Sequence, residues 1–91
     1  MAHYLICYDI ADRRRLGRVH RCIVRHAVFV QLSVYYLRGD RRALDALLDE
    51  LRDLIDEKTD DVRVYAVEPL QNALQLGQSW LPEGILLPKT P

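Results

Sequence analysis

The sequence predicts an α+β domain made of one sheet and two helices. Three observations carry that reading. The first strand is apolar throughout and stops on an acidic residue, two segments show helical amphipathicity, and short β-branched and aromatic runs lie between and after them. The size agrees. A chain of 91 residues, 49% hydrophobic and 29% charged, makes one globular domain rather than a disordered segment. Such a chain buries about 60–65% of its unfolded surface, enough for one core but not for a deep, enclosed pocket for a large cofactor.

Residues His3 to Asp9 form the first strand. Tyr4-Leu5-Ile6-Cys7-Tyr8 is continuously apolar, as in a central strand covered on both faces. Asp12 then caps a helix expected over Arg13–Ala27, with Leu16, Val19, Ile23 and Ala27 as its apolar stripe. Arg14, Arg18, Arg21 and Arg25 gather on the other side. Like charges at this spacing cost about 0.2–0.5 kcal/mol per pair in an isolated helix, and no acidic residue in the stripe relieves them.

Val28–Leu37 has β composition and reads either as one long strand or as a hairpin. No Asn-Gly or Asp-Gly places a turn in it. Gly39-Asp40 closes the segment, and Asp40 caps a second helix expected over Arg41–Lys58. Leu44, Leu47, Leu48, Leu51, Leu54 and Ile55 give that helix its apolar stripe, and Asp45, Asp49, Asp53 and Asp56 line its other side. A last strand is expected at Val62–Val67. With a hairpin in the middle, the order is that of a ferredoxin-like β-α-β-β-α-β domain over residues 1–68. Both helices then cover one sheet face. The bare face, with Tyr8, Tyr35, Tyr36 and Tyr65 as candidate members, predicts a homodimer. Residues 69–91, with four prolines and clusters such as Trp80-Leu81 and Ile85-Leu86-Leu87, read as a C-terminal extension that adds a strand to a partner subunit.

Charge is more informative in its distribution than in its sum, which is zero. Eleven of the 13 basic residues are arginine, and six of them fall between Arg13 and Arg25. Between Asp40 and Asp61, nine acidic residues face four basic ones. Two readings of this asymmetry stand: a polyanion-facing surface, or two solvated helix faces that attract one another. No apolar run is long enough to cross a membrane. The start lacks the features of a signal peptide. Cys7 and Cys22 are not spaced as Cys-x-x-Cys, which argues against a disulfide scaffold and a structural zinc site, and a cytoplasmic setting is expected.

Motifs for phosphate loops, paired-histidine metal sites and serine nucleophiles are absent. His3, His20 and His26 have no orienting partner in the pattern, nor does Ser33, and Cys7 reads as a core thiol. Asp9 is different. It ends an apolar central strand at its carboxyl end, where open α/β folds commonly place ligands, and a carboxylate there calls for a cap role, a partner or a metal. A single carboxylate serves a Mg²⁺ site poorly, and a two-fold axis near Asp9 would supply a second.

Tyr8-Asp9-Ile10 after the apolar strand, the arginine-rich helix, Gln31-Leu32-Ser33-Val34-Tyr35, the Leu/Asp helix and Asp61-Val62-Arg63-Val64-Tyr65 together resemble the CRISPR-associated Cas2 family. Tyr35 stands where that family usually has Phe. The resemblance implies a ferredoxin-like homodimer with a metal-linked aspartate at the end of strand one, the position of Asp9. It implies a Mg²⁺-dependent (or other divalent-cation-dependent) endonuclease acting on RNA or DNA. It also implies the central dimer of a spacer-acquisition complex that bridges Cas1 integrase dimers across duplex DNA. Under it, Asp9 is the expected catalytic and metal residue. Arg14, Arg18, Arg21 and Arg25 are the expected nucleic-acid contacts, and Tyr8, Tyr35 and Tyr65 the expected dimer contacts. A non-catalytic duplex-DNA scaffold is the alternative.

Overall fold

Two aspartates start the two helices. In the computed structural model, which describes residues 1–70, the Asp12 side chain accepts the Arg15 backbone N–H at 2.9 Å and opens α1 (Arg13–Ile23). Asp40 accepts the Ala43 N–H at 2.8 Å and opens α2 (Arg41–Leu54). Caps of this kind contribute about 1 kcal/mol each.

Both helices end earlier than their apolar spacing predicts. After Ile23 the chain tightens, with the Arg25 N–H donating to Cys22 O at 3.2 Å and the His26 N–H to Ile23 O at 3.0 Å. These short-range bonds satisfy the last carbonyls and leave Arg25 and Ala27 beyond the helix. After Leu54, Ile55 is extended (φ −87°, ψ 162°), and the Asp60 carboxylate takes the Asp56 N–H at 2.8 Å. That donor is lost to any continuation of α2, so the apolar Ile55 packs from a loop instead.

The strands are β1 (Ala2–Asp9), β2 (Val28–Gln31), β3 (Val34–Gly39) and β4 (Asp61–Ala66). They form one antiparallel sheet in the order β2-β3-β1-β4, which is the ferredoxin-like arrangement. The β segment is therefore a hairpin. Its turn is Leu32-Ser33, with Ser33 at φ 61°, a left-handed conformation that Asn or Gly adopts more readily.

Strand parity sorts the residues. Ile6 and Tyr8 of β1, Tyr35 and Leu37 of β3, and Val62 and Val64 of β4 face the helices. There they meet Val19, Cys22 and Ile23 of α1 and Leu44, Leu47 and Leu51 of α2. The opposite face carries His3, Leu5, Cys7 and Asp9 with Val34, Tyr36, Asp61, Arg63 and Tyr65, and no helix among the described residues packs on it. Of the extension expected over 69–91, the proposed added strand and the Trp80 and Ile85–Leu87 clusters lie outside the described residues.

Candidate functional site

Asp9 occupies the last position of the central strand, exposed and on the helix-free face. Its cross-strand partner is Asp61, the first residue of β4. Side chains directly opposite in an antiparallel pair stand about 4.5–5.5 Å apart at Cβ, and like charges there are destabilising. Arg63, two positions along the same face, offsets half of that repulsion by donating from Nε to Asp61 Oδ2 at 2.9 Å. Asp9 takes part in no ion pair among the described residues. The strand end thus presents one uncommitted carboxylate beside one held by a cation. Asp61 was not legible as a neighbour of Asp9 before the register was known.

A buried carboxylate fixes the loop that leaves this site. Asp60 is fully covered and accepts from Arg15 Nε at 2.8 Å, from the Ala11 N–H at 2.9 Å and from the Asp56 N–H at 2.8 Å. The Arg15 guanidinium, with help from the two backbone N–H groups, holds its carboxyl well below the usual carboxylate range. Asp60 so joins three segments: the turn after β1, the first turn of α1 and the loop before β4. The acidic doublet Asp60-Asp61 was its only sequence signal.

The predicted arginine row is solvent-exposed. Arg14, Arg18 and Arg21 lie on α1, whereas Arg25 sits in the turn beyond it. Arg18, Arg21 and Arg25 border a shallow cleft of about 520 Å³ with Cys22, Val24 and Leu54. Arg14, Arg18 and Arg21 have no ion-pair partner among the described residues, while Arg25 lies 3.6 Å from Glu50. Three consecutive arginines also open α1, with no acidic residue in the first turn, against the sign the helix dipole favours. Together they make a surface with a strong local excess of positive charge.

Two of the three predicted dimer residues are elsewhere. Tyr8 (8% exposed) and Tyr35 (2%) belong to the core beneath the helices, because they share the parity of Ile6 and Leu37. Burial pushes both phenols up. Their rings stack, and the Tyr35 hydroxyl is hydrogen-bonded to His20 Nδ1 at 3.1 Å. Tyr65, 48% exposed, does lie on the helix-free face with Leu5 and Tyr36. His3 pairs there with the Tyr36 hydroxyl. The core thiol is Cys22 rather than the expected Cys7, which is half-buried on the helix-free face. Ser33 serves the hairpin turn, its carbonyl accepting the Tyr8 N–H at 3.1 Å. Among the described residues no helix is long and apolar enough to cross a membrane.

Comparison with known proteins agrees with this architecture. Residues 1–73 match the family described as CRISPR associated protein Cas2. A Nitrosomonas europaea protein named CRISPR-associated endoribonuclease Cas2 1 is 46% identical over 85 residues, covering 93% of this chain and 81% of that one. The crystal structure of a hypothetical protein from Thermus thermophilus superposes with a TM-score of 0.78 at 33% identity, over 90% of this chain and 98% of that one. The crystal structure of Streptococcus pyogenes Cas2 gives a TM-score of 0.72 at 28% identity, over 82% and 99% respectively. A fold with Asp9 at the end of its central strand, a family match across most of the chain and a 46% identical relative converge, and the chain belongs to the CRISPR-associated Cas2 family.

Proposed function

We propose that this protein is a cytoplasmic, homodimeric nucleic-acid-binding component of CRISPR spacer acquisition, with divalent-cation-dependent phosphodiesterase chemistry at Asp9. The observation that carries it is the uncommitted Asp9 carboxylate, exposed at the carboxyl end of β1 on the helix-free face. The donor set fits Mg²⁺ or a similar hard cation, which takes one or two carboxylates and completes its shell with water and phosphate oxygens. Asp9 would hold it, with Asp9 of a second subunit as the other carboxylate. When bound, such a cation polarises a phosphoryl oxygen and makes its water a better nucleophile.

The chain's own residues supply the rest. Arg63 keeps Asp61 neutralised, so Asp9 is left as the anionic ligand. Asp60 fixes the Ile10–Asp12 turn and so limits where Asp9 can move. Arg14, Arg18, Arg21 and Arg25 attract the phosphate backbone without reading sequence. The apolar strip of Leu5, Val34 and Tyr65 supports dimerisation through the helix-free face. Residues 1–68 form the domain, and 69–91 the extension that meets a partner subunit or the Cas1 integrase.

The relative from Nitrosomonas europaea is named an endoribonuclease, which favours RNA as a substrate class, and single-stranded RNA is the proposed form. A second reading, a scaffold that clamps duplex DNA without cleaving it, is favoured by three arginines of α1 without an ion-pair partner among the described residues, against one uncommitted carboxylate at the end of β1. Asp9→Asn separates the two. Cleavage of RNA and DNA in Mg²⁺ should fall to background while binding and dimerisation persist. Undiminished cleavage by Asp9→Asn would remove the chemistry from this site. Duplex binding by a wild-type protein that cleaves nothing would establish the scaffold.

A further inference from the structure

On the helix layer, away from Asp9, three side chains of metal-ligating type converge. Cys22 lies in the last turn of α1, His26 in the turn that follows, and Glu50 comes from α2. The Cys22 thiol donates to Glu50 Oε2 at 3.3 Å, and His26 Nε2 lies 2.8 Å from the same oxygen. All three donor atoms fall within 4.8 Å of one another. From these residues we infer a second metal site in the molecule, a Cys-His-Glu site for Zn²⁺ that ties the end of α1 to α2.

Two of the three donor separations are close to what the ion requires, and the third, thiol to imidazole, lies within 4.8 Å. Zinc sits about 2.3 Å from sulfur and 2.0–2.2 Å from nitrogen or oxygen, so tetrahedral donors stand roughly 3.3–3.7 Å apart. The thiol–carboxylate distance is already there. The imidazole–carboxylate distance has to open by about half an ångström. His26 and Glu50 are partly exposed, at 31% and 43%, which gives the ion a way in and leaves a fourth position open to water. A thiolate, a carboxylate and a neutral imidazole match the ion's two charges, and Arg25, 3.6 Å from Glu50 Oε2, has to swing away as the ion enters. Thiolate and imidazole ligands select zinc over magnesium. In the metal-free protein the buried thiol is pushed up, chiefly by burial and then by Glu50, so Zn²⁺ enters by displacing the Cys22 proton to solvent as the sulfur–metal bond forms. The reading of the cysteines by Cys-x-x-Cys spacing misses such a site, because two of its three ligands are not cysteine.

The test is Zn²⁺ titration of the metal-free full-length protein against a chromophoric chelator, with Co²⁺ as a spectroscopic substitute. One equivalent per chain and a sulfur-to-cobalt charge-transfer band are expected. Cys22→Ser should abolish the band and weaken Zn²⁺ binding beyond the roughly 10–100-fold that loss of an outer-sphere partner costs. Since Cys22 is buried, His26→Gln provides a variant at a partly exposed position, and it should weaken binding similarly while the circular dichroism stays native. Cys7→Ser should retain both the stoichiometry and the band, and Asp9→Asn should retain the band. Zn²⁺ binding without a charge-transfer band, binding unaffected by His26→Gln, or no binding at all would overturn the proposal and leave the cluster a hydrogen-bonded tie between helices.

Discussion

The two helices share a start, an aspartate cap, and differ in how they handle charge. α2 pairs two of its arginines within itself, Arg41 with Asp45 at 2.8 Å and Arg52 with Asp49 at 3.3 Å. α1 has no such internal pairs. Its arginines either reach other elements, as Arg15 reaches Asp60, or remain unpaired, as do Arg14, Arg18 and Arg21 among the described residues. A helix under selection for stability alone mixes signs along its surface. The contrast suits the proposed anion-binding role of α1, with Asp60 supplying the anchoring that α1 lacks in its own sequence.

Removing that anchor is the strongest way to break the contrast. Asp60→Asn should lower the urea midpoint more than any other single carboxylate change, because it leaves Arg15 and two backbone N–H groups with a weaker acceptor. Its pH signature follows from the sign of the shift. The folded carboxyl lies below its unfolded value near 3.9, so Asp60 stabilises the fold fully above that value. The contribution is lost as pH falls below it toward the folded pKa. The variant should therefore lose less stability than wild type on acidification below about pH 4, read from urea curves at stepped pH.

The arginines sharpen the contrast from the functional side. Arg18→Gln with Arg21→Gln should leave the melting curve unchanged or slightly raised. Nucleic-acid affinity should fall alike for all sequences, and the log–log salt slope should flatten by about 0.9 for each duplex phosphate no longer neutralised. An unchanged slope with a weaker dimer would instead make the row a subunit contact. A smaller effect is expected at the α1 cap, where Asp12→Ala should cost about 1 kcal/mol in chemical denaturation. Smallest of all, Asp45→Ala should leave the denaturation midpoint of this exposed pair within measurement error and nucleic-acid binding untouched.

The order of elements was legible from periodicity because each helix repeats its apolar residues over three turns or more. Three things were not. The Leu32-Ser33 turn holds a serine at positive φ, and no turn residue announces it. The apolar run of β1 hides its own parity, so the sequence groups Tyr8 with Tyr65 although it stands beside Ile6 in the core. The partners of Arg15, Cys22 and His26 come from elements far along the chain, Asp60 and Glu50, and no spacing rule reaches across that separation. The position of Asp9 at the end of β1 was legible, since a carboxylate closing an apolar strand stands out in any reading. Asp61 across from it became visible only with the register.

The strand order has a consequence for how the molecule is made. β1 leaves the ribosome first, yet it lies in the middle of the sheet and bonds to β3 on one side and β4 on the other. Tyr4 finds its second neighbour only when Ala66 has been synthesised. Until β4 has emerged, the apolar first strand therefore waits with at least one open edge, a state that favours association with other nascent chains. Pairings this distant in sequence also slow the search for the native fold. The surroundings of Asp9 are correspondingly late to form: its residue is made with the first of the four strands, and the strand that completes its surroundings is the last of them.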